Sequence, residues 1–357
     1  MSVSRRLIPI LIALTIWTIW LMALGIHEAF GYIVKHWEIS LTMLFGSIIA
    51  GATSLGGGAV AFPVFTKVLN INPYDAKIFS LAIQSVGMSA AALAIYSNRI
   101  RVERRIILWT SLSGIIGVWL GLDLLAPLLP PDAIKIYFTL ILTSLAITLL
   151  LVNQGLRRQY NFSIPIWTIR EKLILLTVGF LGGIVSGLVG NGIDIFIFAV
   201  MVLLFRISEK IATPTSVIIM AINALAGFAY QVFVVQDFTQ PVKDYWLAAI
   251  PIVVVGAPIG AIICSKLHRQ TINRILIGLI LTELIASLII IPLRMIVIYS
   301  GIGILLLFSY LNYWMYRTQI YEVDRNRSGG SNGLKQELNR TYHGTYVLHN
   351  DQSLTTQ

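Results

Sequence analysis

A single cysteine, Cys264, stands in 357 residues, which excludes an internal disulfide. It lies in an apolar run and reads as a small core residue. Charge is scarce too: Asp, Glu, Lys and Arg make up 12% of the chain against 57% hydrophobic residues. So little polar surface cannot clothe a water-soluble core, and the chain belongs in lipid. Enzyme signatures are missing. There is no GxxxxGK[ST] loop for nucleotide hydrolysis, and His27-Glu28 lacks the second histidine of a zinc-protease motif because Gly31 stands there. The five histidines are scattered over loops and tail, so neither a metal nor a cofactor is expected. The net charge of +10 does not point to nucleic acid, because the basic residues sit in short loops beside apolar runs. There they set topology and meet anionic lipid headgroups.

What the chain has in abundance is long apolar runs. Stretches of about 20 such residues mark membrane spans. About ten follow one another, at 7–25, 41–68, 76–96, 106–125, 134–152, 173–205, 211–235, 245–264, 275–291 and 295–316. The expected fold is therefore an all-α, multi-pass membrane protein, placed in the cell membrane. Arg5 and Arg6 precede the first run, as in signal peptides and first spans alike; its length favours a retained helix.

Two of the runs, 41–68 and 173–205, exceed what one straight helix needs, and both are interrupted by glycine. The first carries Gly51-Ala52-Thr53-Ser54-Leu55-Gly56-Gly57-Gly58 followed by Pro63, the second Gly187-Leu188-Val189-Gly190-Asn191-Gly192-Ile193-Asp194. Unwound backbone at membrane depth is tolerated only where protein or a cavity surrounds it. Paired broken segments in corresponding positions point to a transporter's binding site.

Laying the two clusters over each other pairs Gly56 with Gly190, Gly58 with Gly192 and Phe62 with Phe196. Further on, Ala76 and Ser80 meet Ala212 and Ser216, and Gly117/Gly121 meets Gly256/Gly260. These last pairs have the GxxxG spacing of close helix contact. The chain divides accordingly: an extra N-terminal helix and loop (1–40), a first four-helix repeat (41–152), a basic connecting loop (153–172), a second four-helix repeat (173–292), an extra helix (293–317) and a polar tail of disordered composition (318–357). If each glycine-broken run crosses once, each repeat holds an even number of spans and the two tandem repeats are parallel. If a run re-enters, that symmetry changes. The same count puts the Arg99–Arg105 and Arg157–Lys172 loops on one side, with Arg5, Arg6, Lys266, Arg269 and Arg317 on the other, which conflicts with the positive-inside rule.

The glycine clusters, the Ala-Thr-x-x-Ser helix start at Ala212 and the two tandem halves together resemble the TauE/SafE family of sulfite exporters, over roughly 41–291. The resemblance implies multi-pass secondary transport of a small anion such as sulfite or an organosulfonate, with export as the expected direction. Alternatives are a proton- or sodium-coupled importer and a non-transporting scaffold. The second cluster departs from the first in carrying Asn191 and Asp194 where the first has Gly57 and Val60.

Candidate substrate-binding residues are Ser54, Gly56, Gly57, Gly58, Gln84, Gly190, Asn191, Gly192 and Asn223. The glycines let backbone N–H groups face an anion, and a half-helix from Ala59 would add its positive end. Thr53 and Ser54 could donate hydroxyls. Asp194 and Glu283 are the coupling candidates, since an intramembrane carboxylate usually has a partner or a task. Asp194 is protonated when an anion binds, holds a cation, or caps a half-helix. Glu283 could pair with Arg294 or Arg274. The expected partners are the anion and membrane lipids.

Overall fold

The computed structural model describes residues 7–57, 64–128, 130–153, 160–290 and 295–318. Gly58, the half-helix expected from Ala59, Arg5, Arg6, Arg157, Arg158, Arg294 and the tail beyond Thr318 lie outside them. Helices dominate, and the described residues contain no β-strand beyond an isolated bridge between Asn161 and Ile207. We number the helices α1 (Ile8–Leu24), α2 (Ile26–Lys35), α3 (Trp37–Ala52), α4 (Pro73–Ser97), α5 (Arg104–Leu120) and α6 (Pro131–Asn153). There follow α7 (Ile169–Val189), α8 (Ile193–Ala199), α9 (Glu209–Tyr230), α10 (Val242–Lys266), α11 (Arg269–Ile290) and α12 (Met295–Arg317). Wide π-type turns prolong α5, α8 and α9, and another, Val64–Val68, precedes α4.

Among the described residues, 8 helices (α4 to α7 and α9 to α12) are long and apolar enough to cross a membrane, while α1 and α2 form a pair bent by 101°. Local signals start α4: Pro73 fills its first position, and the Asn72 side chain accepts from the Tyr74 N–H at 2.9 Å. The helix α8 is shorter and lies almost wholly inside the bundle, with Ile193, Asp194, Ile197 and Phe198 inaccessible and Phe196 half-buried. By contrast α12 exposes nearly its whole length, as a lipid-facing helix does.

Small residues fix how the helices run. A Cβ on Gly117 would lie 2.2 Å from Phe180 O, one on Gly183 2.3 Å from Gly114 O, and one on Gly187 2.5 Å from Val118 O. From Gly179 against Thr110 to Gly187 against Val118 the residue numbers rise together, so α5 and α7 run the same way. The same holds for α3 and α10, where Ser40 bonds to Ala248 O and Gly51 and Gly260 would carry Cβ atoms 2.0 Å from Ala257 O and Ile48 O. These glycines let backbones touch, the close contact that GxxxG spacing permits.

Following the chain from end to end changes the expected topology. One end gathers the start of α5 with α9 (Glu103 N–H to Thr215), Asn161 with Arg206, the start of α11 with Glu209, and Arg206 with the Tyr316 carbonyl of α12. The other end gathers the starts of α4 and α10 with the loop before α10, through Tyr74 with Asp237 and Lys35 with Asp244. Since α7 begins at the first end and α8 finishes there beside Asn161, the second glycine-broken run turns back instead of crossing. The first run does the same from the opposite end: α3 starts beside the first half of α10, and the chain is back at that end when α4 begins. Each run is thus a hairpin. The extra returning leg makes the number of traverses odd, so the two halves run in opposite directions and the parallel arrangement is not what the contacts build.

This also removes the charge conflict. Arg101, Arg104, Arg105, Arg170, Lys172, Lys210, Lys266, Arg269 and Arg317 fall at one end, while Asp75, Asp123, Asp237 and Asp244 lie at the other. Helix α1 starts at the basic end too, because Trp17 and Trp20 bond to Pro251 O and Leu247 O in antiparallel register with α10. By the positive-inside rule the basic end is cytoplasmic. Cys264 is buried, so single cysteines can report this on a Cys264→Ala background. Arg104→Cys and Lys266→Cys are expected to resist an impermeant maleimide in intact cells and react after lysis, whereas Asp123→Cys and Thr239→Cys react in both. Labelling of Arg104→Cys and Lys266→Cys from opposite sides would restore the parallel count.

Candidate functional site

The tips of the two hairpins meet. In the first, α3 ends at Thr53 and the chain unwinds through Ser54, Leu55, Gly56 and Gly57. In the second, α7 ends at Gly190 and α8 starts after Gly192. Asn191 Nδ2 donates to Leu55 O at 3.2 Å, joining tip to tip. Each tip is also held by the first long helix of the opposite half. Ser216 on α9 donates to Ser54 Oγ at 2.9 Å, and on α4 Gln84 Nε2 donates to Ser80 Oγ at 2.7 Å and to Gly190 O at 2.9 Å. Unwound carbonyls inside an apolar bundle have no water to turn to, and these side chains satisfy them.

Gly56 sits at the centre of this contact with φ at +71°. A Cβ there would lie 3.2 Å from Asn191 Nδ2, 3.3 Å from Gln84 Oε1 and 3.4 Å from Asp194 Oδ2. Left-handed backbone and lack of space therefore both demand glycine. Of these groups, Gln84 Oε1 and Asp194 Oδ2 are buried with no hydrogen-bond partner. Two unanswered acceptors beside one glycine form a poor cradle for an anion; they suit a proton or a small cation.

The other candidates sit as follows. Asp194 follows the N-cap residue Gly192, and its Oδ1 accepts from the first-turn Ile195 N–H at 3.0 Å, so one carboxylate oxygen does satisfy the start of α8, while the Ile193 N–H is taken by Ser186 Oγ at 2.9 Å. The Thr53 hydroxyl donates to Ile49 O, whereas Ser54 Oγ accepts from Ser216 and keeps its own proton to donate. Asn223 stands behind the second hairpin, between Gly114 and Ile193, bonded to Ile219 O. Gln84, Asn191 and Gly57 do reach a common space. They line a partly open cavity of about 530 Å³ together with Ser47, Ser80, Phe65, Phe79, Met43 and Lys135. Ser54, Gly56, Gly190, Gly192 and Asn223 are not among its walls.

Of the two arginines proposed for Glu283, Arg294 lies outside the described residues. Arg274 is exposed, and Lys135 on α6 takes the role: its Nζ lies 2.7 Å from Glu283 Oε1, with side-chain exposures of 5% and 0%. Thr139 and Ser287 flank the pair at 3.5 Å from the same oxygen. Removing one partner of such a buried pair costs about 3–5 kcal/mol. Sequence reading missed Lys135 because it stands one residue inside the run 134–152, where a lysine looks like a snorkelling helix end. Lys77, one residue inside the run 76–96 and 7% exposed, was missed in the same way.

Helices that cross, two broken hairpins entering from opposite ends, and a cavity beside their joined tips define a membrane carrier. The family model for the sulfite exporter TauE/SafE matches residues 39–287, and the chain belongs to that family of membrane transporters, which are not enzymes. No curated protein and no solved structure matches the chain. A small anionic substrate and a lipid surround follow from the family.

Gly56→Ala is expected to keep membrane insertion, to lower stability by about 1–2 kcal/mol through the left-handed backbone alone, and to abolish solute movement by parting the tips. Thermal unfolding in detergent beside a flux assay checks both effects.

Proposed function

We propose that this chain is a secondary carrier of a small sulfur oxyanion or organosulfonate, moving it outward across the cell membrane through the cavity between α3, α4 and α10. The observation that carries this reading is the meeting of two hairpins from opposite ends beside that cavity. A contact of this kind can loosen toward either side in turn, with opposite running directions giving both sides equivalent gates. Phe65, Phe79 and Met43 among the walls favour an anion with an apolar part over a fully hydrated one. Outward movement needs no coupled ion: an inside-negative potential supplies about 2.3 kcal/mol per charge per 100 mV, roughly a fifty-fold gradient for a monoanion.

Proteoliposomes loaded in turn with sulfite, sulfoacetate, sulfate and chloride test the reading. Saturable efflux of sulfite or sulfoacetate, faster when the loaded side is negative, is expected. Movement of none of the four would rule out anion transport and leave a scaffold.

One observation favours a second reading, a proton- or sodium-coupled importer: the unpartnered Asp194 Oδ2 and Gln84 Oε1 face the same point above Gly56. Asp194→Asn separates the two, because an amide keeps the bond from Ile195 N–H and cannot release a proton. For uncoupled export, flux and its pH profile between about pH 5 and 9 stay as in the wild type. Retained exchange with loss of pH-driven accumulation would establish the importer instead.

A further inference from the structure

The hairpin tips supply acceptors, so the positive charge that an anion requires must come from elsewhere. Among the described walls of the large cavity, Lys135 is the charged residue. It also lines, with Val189, a second cavity of about 420 Å³ whose other walls include Pro73, Tyr74, Lys77 and Ala126. Those residues belong to the acidic, non-cytoplasmic end of the bundle. Lys135 therefore stands between an inner chamber and an outer vestibule. Lys77 lines the vestibule with its Nζ 4.7 Å from the centre of the Tyr74 ring.

The pairing of Lys135 is of an unusual kind for a purely structural staple. Contact is made with one carboxylate oxygen, Glu283 Oε1. The other, Oε2, is buried without a hydrogen-bond partner, and the two hydroxyls at 3.5 Å crowd onto the oxygen already engaged. A buried ion pair repays its desolvation only when the remaining lone pairs are satisfied, and here they are not. Such a carboxylate can yield its place to a competing anion at a smaller cost than a fully bonded one.

We propose that Lys135 is the residue that receives the transported oxyanion, and that Glu283 is the resident counter-ion which holds its charge between substrates. The ligand class is a small oxyanion bearing one negative charge near Lys135, with any apolar group against Phe65 and Phe79. Lys77 provides the step between the vestibule and this point. The assignment rests on the anion-transport reading and deepens it. Because α6 and α11 come from different halves of the chain, exchange of Glu283 for substrate also breaks a link between the halves when the cavity fills.

The test uses full-length protein in detergent and in proteoliposomes, with sulfite and methanesulfonate as probes, reading both thermal stabilisation by ligand and the KM of flux. Glu283→Gln removes the competitor and is expected to lower the apparent KM about tenfold. Since that variant takes the carboxylate away from a buried ammonium and can fail to fold, Lys135→Gln/Glu283→Gln is measured beside it. This neutral pair is expected to insert and melt like the wild type while its KM rises by about tenfold or more, and Lys135→Arg is expected to retain binding. Wild-type KM and ligand stabilisation in the doubly neutral variant would overturn the role of Lys135 and leave anion transport standing. If the wild type itself neither binds nor moves either probe, the transport reading falls and takes this assignment with it.

Discussion

The hydrogen bond from Asn191 to Leu55 O, with the helper bonds from Ser216 and Gln84, is the constraint on which the rest of the structure depends. An unwound segment costs several kcal/mol for each unanswered backbone group in hydrocarbon. Two such segments survive here because each is answered by the other and by a helix of the opposite half. From that requirement follow the hairpins, since a chain that stops at mid-depth to make these contacts returns to the end it came from. The burial of α8 follows too: a returning leg flanked by α7 and α9 has little face left for lipid.

Close backbone contact does the remaining positioning. Along α5 with α7 and α3 with α10, glycine at Gly117, Gly183, Gly51 and Gly260 brings carbonyls to where a methyl group would stand. Without a hydrophobic drive between helices in lipid, such contact is what holds membrane helices together. These two seams flank the tips, so the same residues that hold the bundle also fix where the hairpins meet. Outside the seams, α12 packs along α6, where Tyr137 meets Ser300 and Asn312 donates to Ser144.

Charge is arranged in three layers. The described arginines lie at one end, while Lys35, Lys77 and Lys243 stand beside the aspartates at the other, and the resulting excess of positive charge orients the protein in its membrane. Between the two ends lie Asp194, whose Oδ1 accepts from the Ile195 N–H, and the Lys135–Glu283 pair. An anion carrier needs a positive group within reach of its cavity, together with acceptors kept apart from it. In this molecule the ammonium belongs to α6 and the acceptors to the tips, with the cavity reaching both Lys135 and Gln84.

Composition and run length by themselves settled that the chain is helical and lives in lipid, because apolar stretches of that length have no other stable solution. The glycine clusters named the break points, and their repetition in order identified corresponding segments. Gln84, Asn191 and Gly57 were legible as cavity residues because polar or small residues beside a break have few other uses. Whether a broken run crosses or turns back was not legible, since hydropathy is the same for both; it is decided by which helix ends touch, as at Asn161 and Arg206. The same limit hid the partner of Glu283. Lys135 lies far from it in the chain, and a lysine at the start of a span carries no local mark of facing inward. Only the packing of α6 against α11 turns it from a helix end into a buried charge.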